Sequence, residues 1–181
     1  MVRKAAVEDA ERMAEIHISG WRSAYRGILA DSFLFGKLRV CRRAENLRKE
    51  LAEGVVENYV AERGGVVAAF MAIGESRDED KRGAGSLELW AIYTDPAMLR
   101  EGLGGELIEF CEKEAARRGK KEVSLWVLRE NAMGRAFYER HGYRPDGASK
   151  SLERLLSVTG KPAVEVRYIK DLAGKDNEED Q

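Results

Sequence analysis

Cysteine, histidine and proline are scarce in this chain of 181 residues, and so is net charge. The two cysteines, Cys41 and Cys111, lie far apart and offer no disulfide framework, so they read as buried or free thiols of a reducing compartment. Two histidines without a Cys/His cluster give a metal ion no ligand set, and none is expected. Lys and Arg total 31 against 32 for Asp and Glu, a net charge of -1, so the chain has no basic field to hold nucleic acid or an anionic membrane. No apolar run reaches membrane length, and the opening MVRKAAVEDAER lacks an apolar h-region, which predicts a cytoplasmic protein. What is present is 44% hydrophobic residue, enough to bury one core. A single domain over 1–172 is expected, with an acidic, disordered tail over 173–181.

The stretch Leu87 to Ile108, LELWAIYTDPAMLREGLGGELI, organises the rest. Its apolar first part suits a strand buried on both faces, which Pro96 ends because proline brings no N–H to a ladder. Gly102 and Gly104 then let backbone amides crowd around an anion at the positive end of a helix that begins with Leu103, Leu107, Ile108 and Cys111. This predicts a grip on a pyrophosphate. The glycines are not a P-loop, because Gly105-Glu106 stands where Lys-Ser or Lys-Thr is required. They are not a dinucleotide fingerprint either, because the third glycine position is Leu107.

Around this stretch the pattern is strand, two helices, a strand pair, the phosphate helix, strand, helix and strands. Val2 to Ala6 reads as a first strand, followed by a helix with Ala10, Met13, Ala14 and His17 at helical spacing. His17 is either an acid–base group or a packed core histidine. Trp21, Arg22, Tyr25 and Arg26 form an aromatic and basic cluster, read either as a binding loop or as the anchor of a second helix. Val40 to Leu51 predicts a helix with a basic face. Asn58 to Glu62 and Val66 to Ile73, joined by Gly64-Gly65, predict a hairpin. Gly74 to Gly85 is polar and predicted mobile. Glu122 to Leu128 predicts a parallel neighbour of the central strand, and Asn131 to His141 a helix. Pro145-Asp146-Gly147 is expected to interrupt a strand begun at Tyr143, Ser151 to Val158 suits a helical turn packing Leu152, Leu155 and Leu156, and Ala163 to Ile169 predicts the last strand.

Gly102-Leu103-Gly104, followed at the right separation by Trp126-Val127-Leu128, Asn131, Arg135-Ala136-Phe137-Tyr138 and Gly142-Tyr143, resembles two sequence blocks of the GCN5-related N-acetyltransferase (GNAT) family. One departure is Leu99, which stands where that pattern has Arg or Gln, with Arg100 displaced by one. The resemblance implies an α/β fold with a central mixed sheet flanked by helices, and acetyl-CoA as co-substrate. It implies that Ile92, Tyr93 and Thr94 hold the pantetheine through their backbones, that Arg100, Glu101, Gly102, Leu103, Gly104 and Gly105 cradle the pyrophosphate, and that Asn131 reaches the cofactor or caps its helix. It further implies attack of a neutral amine on the thioester, with Tyr138 as general acid to the departing thiolate unless it is a packed core tyrosine. A backbone N–H of the central strand, that of Ile92, is the expected oxyanion donor. Glu88 is either the base or an ordinary exposed strand residue; the position at which some relatives carry a glutamate base is Trp126.

By the same resemblance Trp21, Tyr25 and Arg26 shape the acceptor site. The aromatic rings suit an alkylammonium and the arginines a carboxylate, two features that favour different substrates. A small amine or amino-acid-like acceptor is expected, with a peptide N-terminus as rival, and a non-catalytic acyl-CoA-binding sensor is the reading from another class. A homodimer rests on family analogy alone.

Overall fold

The computed structural model describes residues 1–83, 85–153, 155–156 and 162–172. Its centre is a seven-stranded mixed sheet in the order β1-β2-β3-β4-β5-β7-β6. The strands are β1 (Val2–Lys4), β2 (Glu57–Arg63), β3 (Val66–Glu75), β4 (Ser86–Thr94), β5 (Glu122–Leu128), β6 (Arg144–Ser151) and β7 (Val164–Asp171). All neighbours are antiparallel except β4 and β5, which the helix between them joins as a parallel pair. The mixed α/β class expected from the sequence is the one observed.

Alternation along the strands sorts side chains onto two faces. On one, Leu87, Leu89, Val123 and Leu125 pack against Leu103, Leu107, Ile108 and Cys111 of helix α4 (Leu103–Arg117). Burial pushes the Cys111 thiol up to about 12, making it an inert core group. On the other face, Val60 and Phe70 meet Met13, Ala14 and Ile16 of α1 (Ala10–Ala24) and Ala44 and Leu47 of α3 (Val40–Glu53). A third cluster sets Leu29, Phe33 and Leu34, the last two on the short α2 (Asp31–Leu34), against Leu128, Leu155 and Ala163.

The feature that makes room for a site is the parting of β4 from β5. They pair only from Ser86 to Leu89 against Glu122 to Leu125. At that point β4 bulges: Ile73 faces Leu89 but Ala72 faces Ala91, so Trp90 is an extra residue that twists the strand away from β5.

Several local expectations change. α1 runs on to Ala24, so Trp21 is a helical residue rather than part of a loop. Pro145-Asp146-Gly147 does not end its strand. β6 lies at the sheet edge, where a missing N–H is tolerated, and absorbs the segment as a register shift between Pro145 and Ser149. The charged loop after β3 is pinned rather than free. Arg77 binds Glu88, Lys81 binds Glu122, and the buried Arg167 binds Asp78 and Asp80 as well as Asp146. Leu152 and Leu155 pack as expected, but Leu156 is exposed, and Ser157 and Val158 lie outside the described residues. So does the acidic tail after Leu172. No helix among the described residues is long and apolar enough to cross a membrane.

Candidate active site

A cleft of about 800 Å³ opens where β4 and β5 part. β4 from Leu89 to Thr94 forms one wall, Trp126 to Leu128 of β5 and the helix α5 (Ala132–Arg140) the other, and Gly20, Trp21, Ala24 and Tyr25 at the end of α1 close one side. The N-terminus of α4 stands at its mouth.

The free edge of β4 carries a definite hydrogen-bonding pattern. Asp95 N–H donates to Ala68 O at 2.8 Å, and bonding alternates along an antiparallel pair, so the peptide groups of Tyr93 and Ala91 also face β3. Those of Ile92 and Thr94 face the cleft, beyond the last residue paired with β5. Of the three residues expected to present backbone, Ile92 and Thr94 do so. Tyr93 instead sends its side chain to α1, where its hydroxyl accepts Trp21 Nε1–H at 2.9 Å and its ring stacks on His17 at 4.7 Å.

At the mouth, the loop enters α4 through two left-handed residues, Arg100 at φ 68° and Gly102 at φ 83°. A Cβ on Gly102 would meet nothing within 4 Å, so glycine serves its backbone conformation there. Gly104 differs: a Cβ would come within 3.1 Å of the Phe137 ring, so this glycine lets α5 close against α4. The first amides of α4, Leu103 to Gly105, have no partners within the helix and meet the positive end of its dipole. Leu99, Arg100 and Arg140 line the same end of the cleft. Glu101, expected in the cradle, is not on the cleft wall; its carbonyl accepts Arg63 Nη2–H at 3.2 Å. The lining therefore fits a phosphorylated ligand with an amide-bearing arm: free amides and arginine at the mouth, free strand edge within. Asn131 is 8% exposed, lines the cleft and caps α5 by accepting Gly134 N–H at 3.0 Å.

Tyr138 projects from α5 into the cleft, half-buried, and among the described residues its hydroxyl has no hydrogen-bond partner. Burial raises its pKa well above that of a free phenol, with Tyr93 and Cys111 adding to the shift, so it holds its proton at neutral pH. Glu88 requires correction. It is 1% exposed rather than an open strand residue, and it does not line the cleft. Arg77 takes both its oxygens, through its backbone N–H at 2.8 Å and Nε–H at 3.0 Å, and lies over the Trp90 ring at 4.8 Å. The reason is topological: the loop after β3 folds back over the face of β4 that alternation leaves opposite to Leu87 and Leu89.

At the α1 end, Trp21 and Tyr25 line the cleft as expected, their rings 5.0 Å apart, edge to face. Arg26 does not; it is exposed, with its guanidinium over Phe35. Arg22 donates to the Leu34 and Leu38 carbonyls. Neither arginine is placed to bind a carboxylate in the cleft. The carboxylate that is there, Glu165 of β7, was not singled out from sequence, because one glutamate in an alternating strand has no local signature.

His17 does not line the cleft. Its Nδ1 accepts Arg43 Nε–H at 2.8 Å, which fixes the neutral tautomer with its proton on Nε2. Burial, then the nearby Arg43 charge, lower its pKa from 6.5 to about 3. The unfolded chain therefore binds this proton first, so the stability contributed by neutral His17 is complete above pH 6.5 and is lost as pH falls toward 3. Discounting for partial exposure, the fold should lose about 1–2 kcal/mol through this residue between pH 7 and pH 5. Denaturant titrations at both pH values should show a smaller loss in His17→Gln; an identical loss would contradict the assignment.

Comparison with known proteins agrees with this geometry. The profile of the family described as "Acetyltransferase (GNAT) family" matches residues 10–143. A spermidine N(1)-acetyltransferase of Thermoplasma acidophilum is 28% identical over 156 residues, covering 84% of this chain and 95% of that one. The crystal structure of the PaiA N-acetyltransferase from Thermoplasma acidophilum in complex with coenzyme A aligns with a TM-score of 0.71 and 22% identity, covering 94% of this chain and 98% of that one. A ribosomal-protein-alanine N-acetyltransferase from Brucella melitensis aligns with a TM-score of 0.65 and 21% identity, covering 94% and 99%.

Proposed function

Since the chain belongs to the GNAT family of acetyltransferases, we propose that it moves an acetyl group from acetyl-CoA to the primary amine of a small molecule by direct attack. The single observation that carries this reading is the Tyr138 hydroxyl, without a hydrogen-bond partner among the described residues, inside a cleft whose other walls are a free strand edge and the N-terminus of α4. Bound acetyl-CoA supplies a thioester, whose acyl carbon accepts the amine as its thiolate leaves.

The residues divide the rest of the work. Leu103, Gly104 and Gly105 amides, with Arg100 and Arg140, hold the phosphates, and the peptide groups of Ile92 and Thr94 hold the pantetheine arm. Leu99 at the Arg/Gln position removes a side-chain contact but leaves these backbone groups in place. The Ile92 N–H, turned into the cleft, donates to the carbonyl oxygen as it gains charge. Tyr138 donates its proton to the departing sulfur, and the proton that the nitrogen sheds on becoming an amide passes to solvent water in the open cleft, which restores the Tyr138 hydroxyl. Because Arg77 occupies its carboxylate, Glu88 serves to fix the loop after β3 rather than to take the proton of the amine.

The acceptor side favours a cation over a carboxylate. Its walls are Trp21, Tyr25, Trp90 and Trp126, with Glu165 among them, while Arg22 and Arg26 are engaged elsewhere. The resemblance to a spermidine N(1)-acetyltransferase points the same way. A peptide N-terminus is the rival acceptor, and a sensor without turnover fits poorly with a free acid group in the cleft. Calorimetric titration with acetyl-CoA followed by assay of small amines and of peptides tests the reading: micromolar binding with turnover of small amines supports it, and turnover of peptides alone overturns it.

A further inference from the structure

Of the three indoles at the acceptor end of the cleft, those of Trp21, Trp90 and Trp126, the last two each lie under at least one cation of the chain itself. Arg77 lies over Trp90, and Lys150 Nζ sits 3.8 Å from the centre of the Trp126 ring. Each cation also faces a carboxylate, Arg77 that of Glu88 and Lys150 that of Glu165. The two sets differ in tightness. Arg77 and Glu88 share several hydrogen bonds, and Glu88 is sealed from the cleft. Lys150 stands 3.5 Å from Glu165 Oε2, an ion contact longer than a good hydrogen bond, with 40% of its side chain exposed. Glu165 lines the cleft and is 22% exposed.

Strand register produces this arrangement. Glu165 on β7 has Lys150 of β6 on one side and Leu128 of β5 on the other, while Trp126, two residues before Leu128, lies across from Arg167. Trp126 is oriented by its Nε1–H to Asp78 at 2.9 Å, and Asp78 is in turn held by Arg167. The indole face is thus fixed while the cation above it sits on a flexible side chain.

We propose that Glu165 and the face of Trp126 form a subsite for a second, non-reacting ammonium group of the acceptor, and that Lys150 occupies this subsite as an internal stand-in until the acceptor replaces it. The substrate class is then diamines or polyamines. The inference rests on the acetyltransferase reading for the other end of the acceptor, but the subsite is a binding property in its own right. Three observations support it. Tyr25, Tyr138 and Glu165 all line one cleft, so the carboxylate and the general acid face the same bound acceptor. Burial raises the Glu165 carboxyl above its ordinary value while Lys150 pulls it down, so a better-placed cation would gain from the anion it finds. An ammonium between an aromatic face and a carboxylate also makes both contacts that its charge favours, cation–π and charge-assisted hydrogen bond.

The test is calorimetric binding of 1,4-diaminobutane and of n-butylamine to the CoA-loaded protein, with acetylated product assayed separately for both amines. The diamine should bind ~10–100-fold more tightly than the monoamine, in keeping with one charge-assisted contact. Glu165→Gln should erase that advantage and raise the diamine KM by a similar factor with kcat nearly unchanged. Lys150→Met should enlarge the advantage and gives an independent readout should the Gln variant fold poorly. Equal affinity for the two amines in the wild-type protein overturns the proposal, as does an advantage that survives in Glu165→Gln or fails to grow in Lys150→Met. Loss of kcat with both amines at unchanged KM in Glu165→Gln would also overturn it, because it would make Glu165 a proton acceptor. Diamine binding without acetylated product would leave the subsite standing and refute the acetyltransferase reading, whereas acetylation of both amines without a binding preference would do the reverse.

Discussion

Replacing Tyr138 with Phe should lower kcat by ~100-fold or more, the usual contribution of a positioned acid, while the affinity for acetyl-CoA changes little. The substitution removes one hydroxyl, and among the described residues that hydroxyl bonds to nothing in the protein, so no internal hydrogen bond is lost and no buried partner is stranded. The ring remains to pack against Phe137 and Tyr143, at 5.3 and 6.1 Å between centroids. A fall in kcat therefore reports the chemistry and not the fold. Single-turnover measurements would locate the loss in acetyl transfer, and the melting temperature should stay near that of the wild type. Unchanged kcat would mean that the departing sulfur takes its proton from water or another group. Loss of acetyl-CoA binding would mean that Tyr138 acts as a wall of the cleft rather than as an acid.

The largest stability effect should come from Arg77→Ala. Glu88 is the buried member of this pair and Arg77 the half-exposed one, with side-chain exposures of 1% and 57%. Removing the arginine leaves a carboxylate in the sheet face with its main counter-charge gone, which should cost about 2–3 kcal/mol after discounting for the exposure of the arginine. Glu88→Gln should cost less, on the order of 1 kcal/mol, because a neutral amide is cheaper to keep buried and Arg77 can turn to water. This ordering is what separates a structural ion pair from a catalytic base. A base at Glu88 would instead make the Gln variant lose its activity and its pH profile while remaining stable. Denaturant melts and pH–rate profiles of the two variants decide between the accounts. Equal stability of both with the wild type would show that the pair contributes nothing to the fold.

Much of the architecture was legible because the signals were local. The apolar run at Leu87, the strand stop at Pro96 and the capping residue at Asn131 each act through the next few residues, and the strands and helices form close to where period and turn chemistry predict. The glycine turn into α4 was legible for the same reason, although the glycines divide its work differently: Gly102 serves a left-handed turn, and Gly104 the approach of Phe137. What was not legible depends on distant partners. Alternation sets Glu88 opposite to Leu87 and Leu89, but nothing nearby tells that Arg77 will cover that face. The role of Arg26 depends on a ring nine residues away in the chain, Phe35. Glu165 becomes part of the cleft only through register, when β7 inserts between β5 and β6 and brings Lys150 beside it. Pro145 reads as a strand stop unless its strand is known to lie at an edge.

The claim at the centre of this account is that the cleft between β4 and β5 joins an acetyl group to an amine nitrogen. The most direct measurement is mass spectrometry of 1,4-diaminobutane incubated with acetyl-CoA and the purified protein, with free CoA thiol counted in parallel. The account predicts a mono-acetylated diamine formed in step with the thiol, and only background product with Tyr138→Phe over the same time. Thiol release without acetylated amine, or product that forms equally fast with Tyr138→Phe, would contradict it.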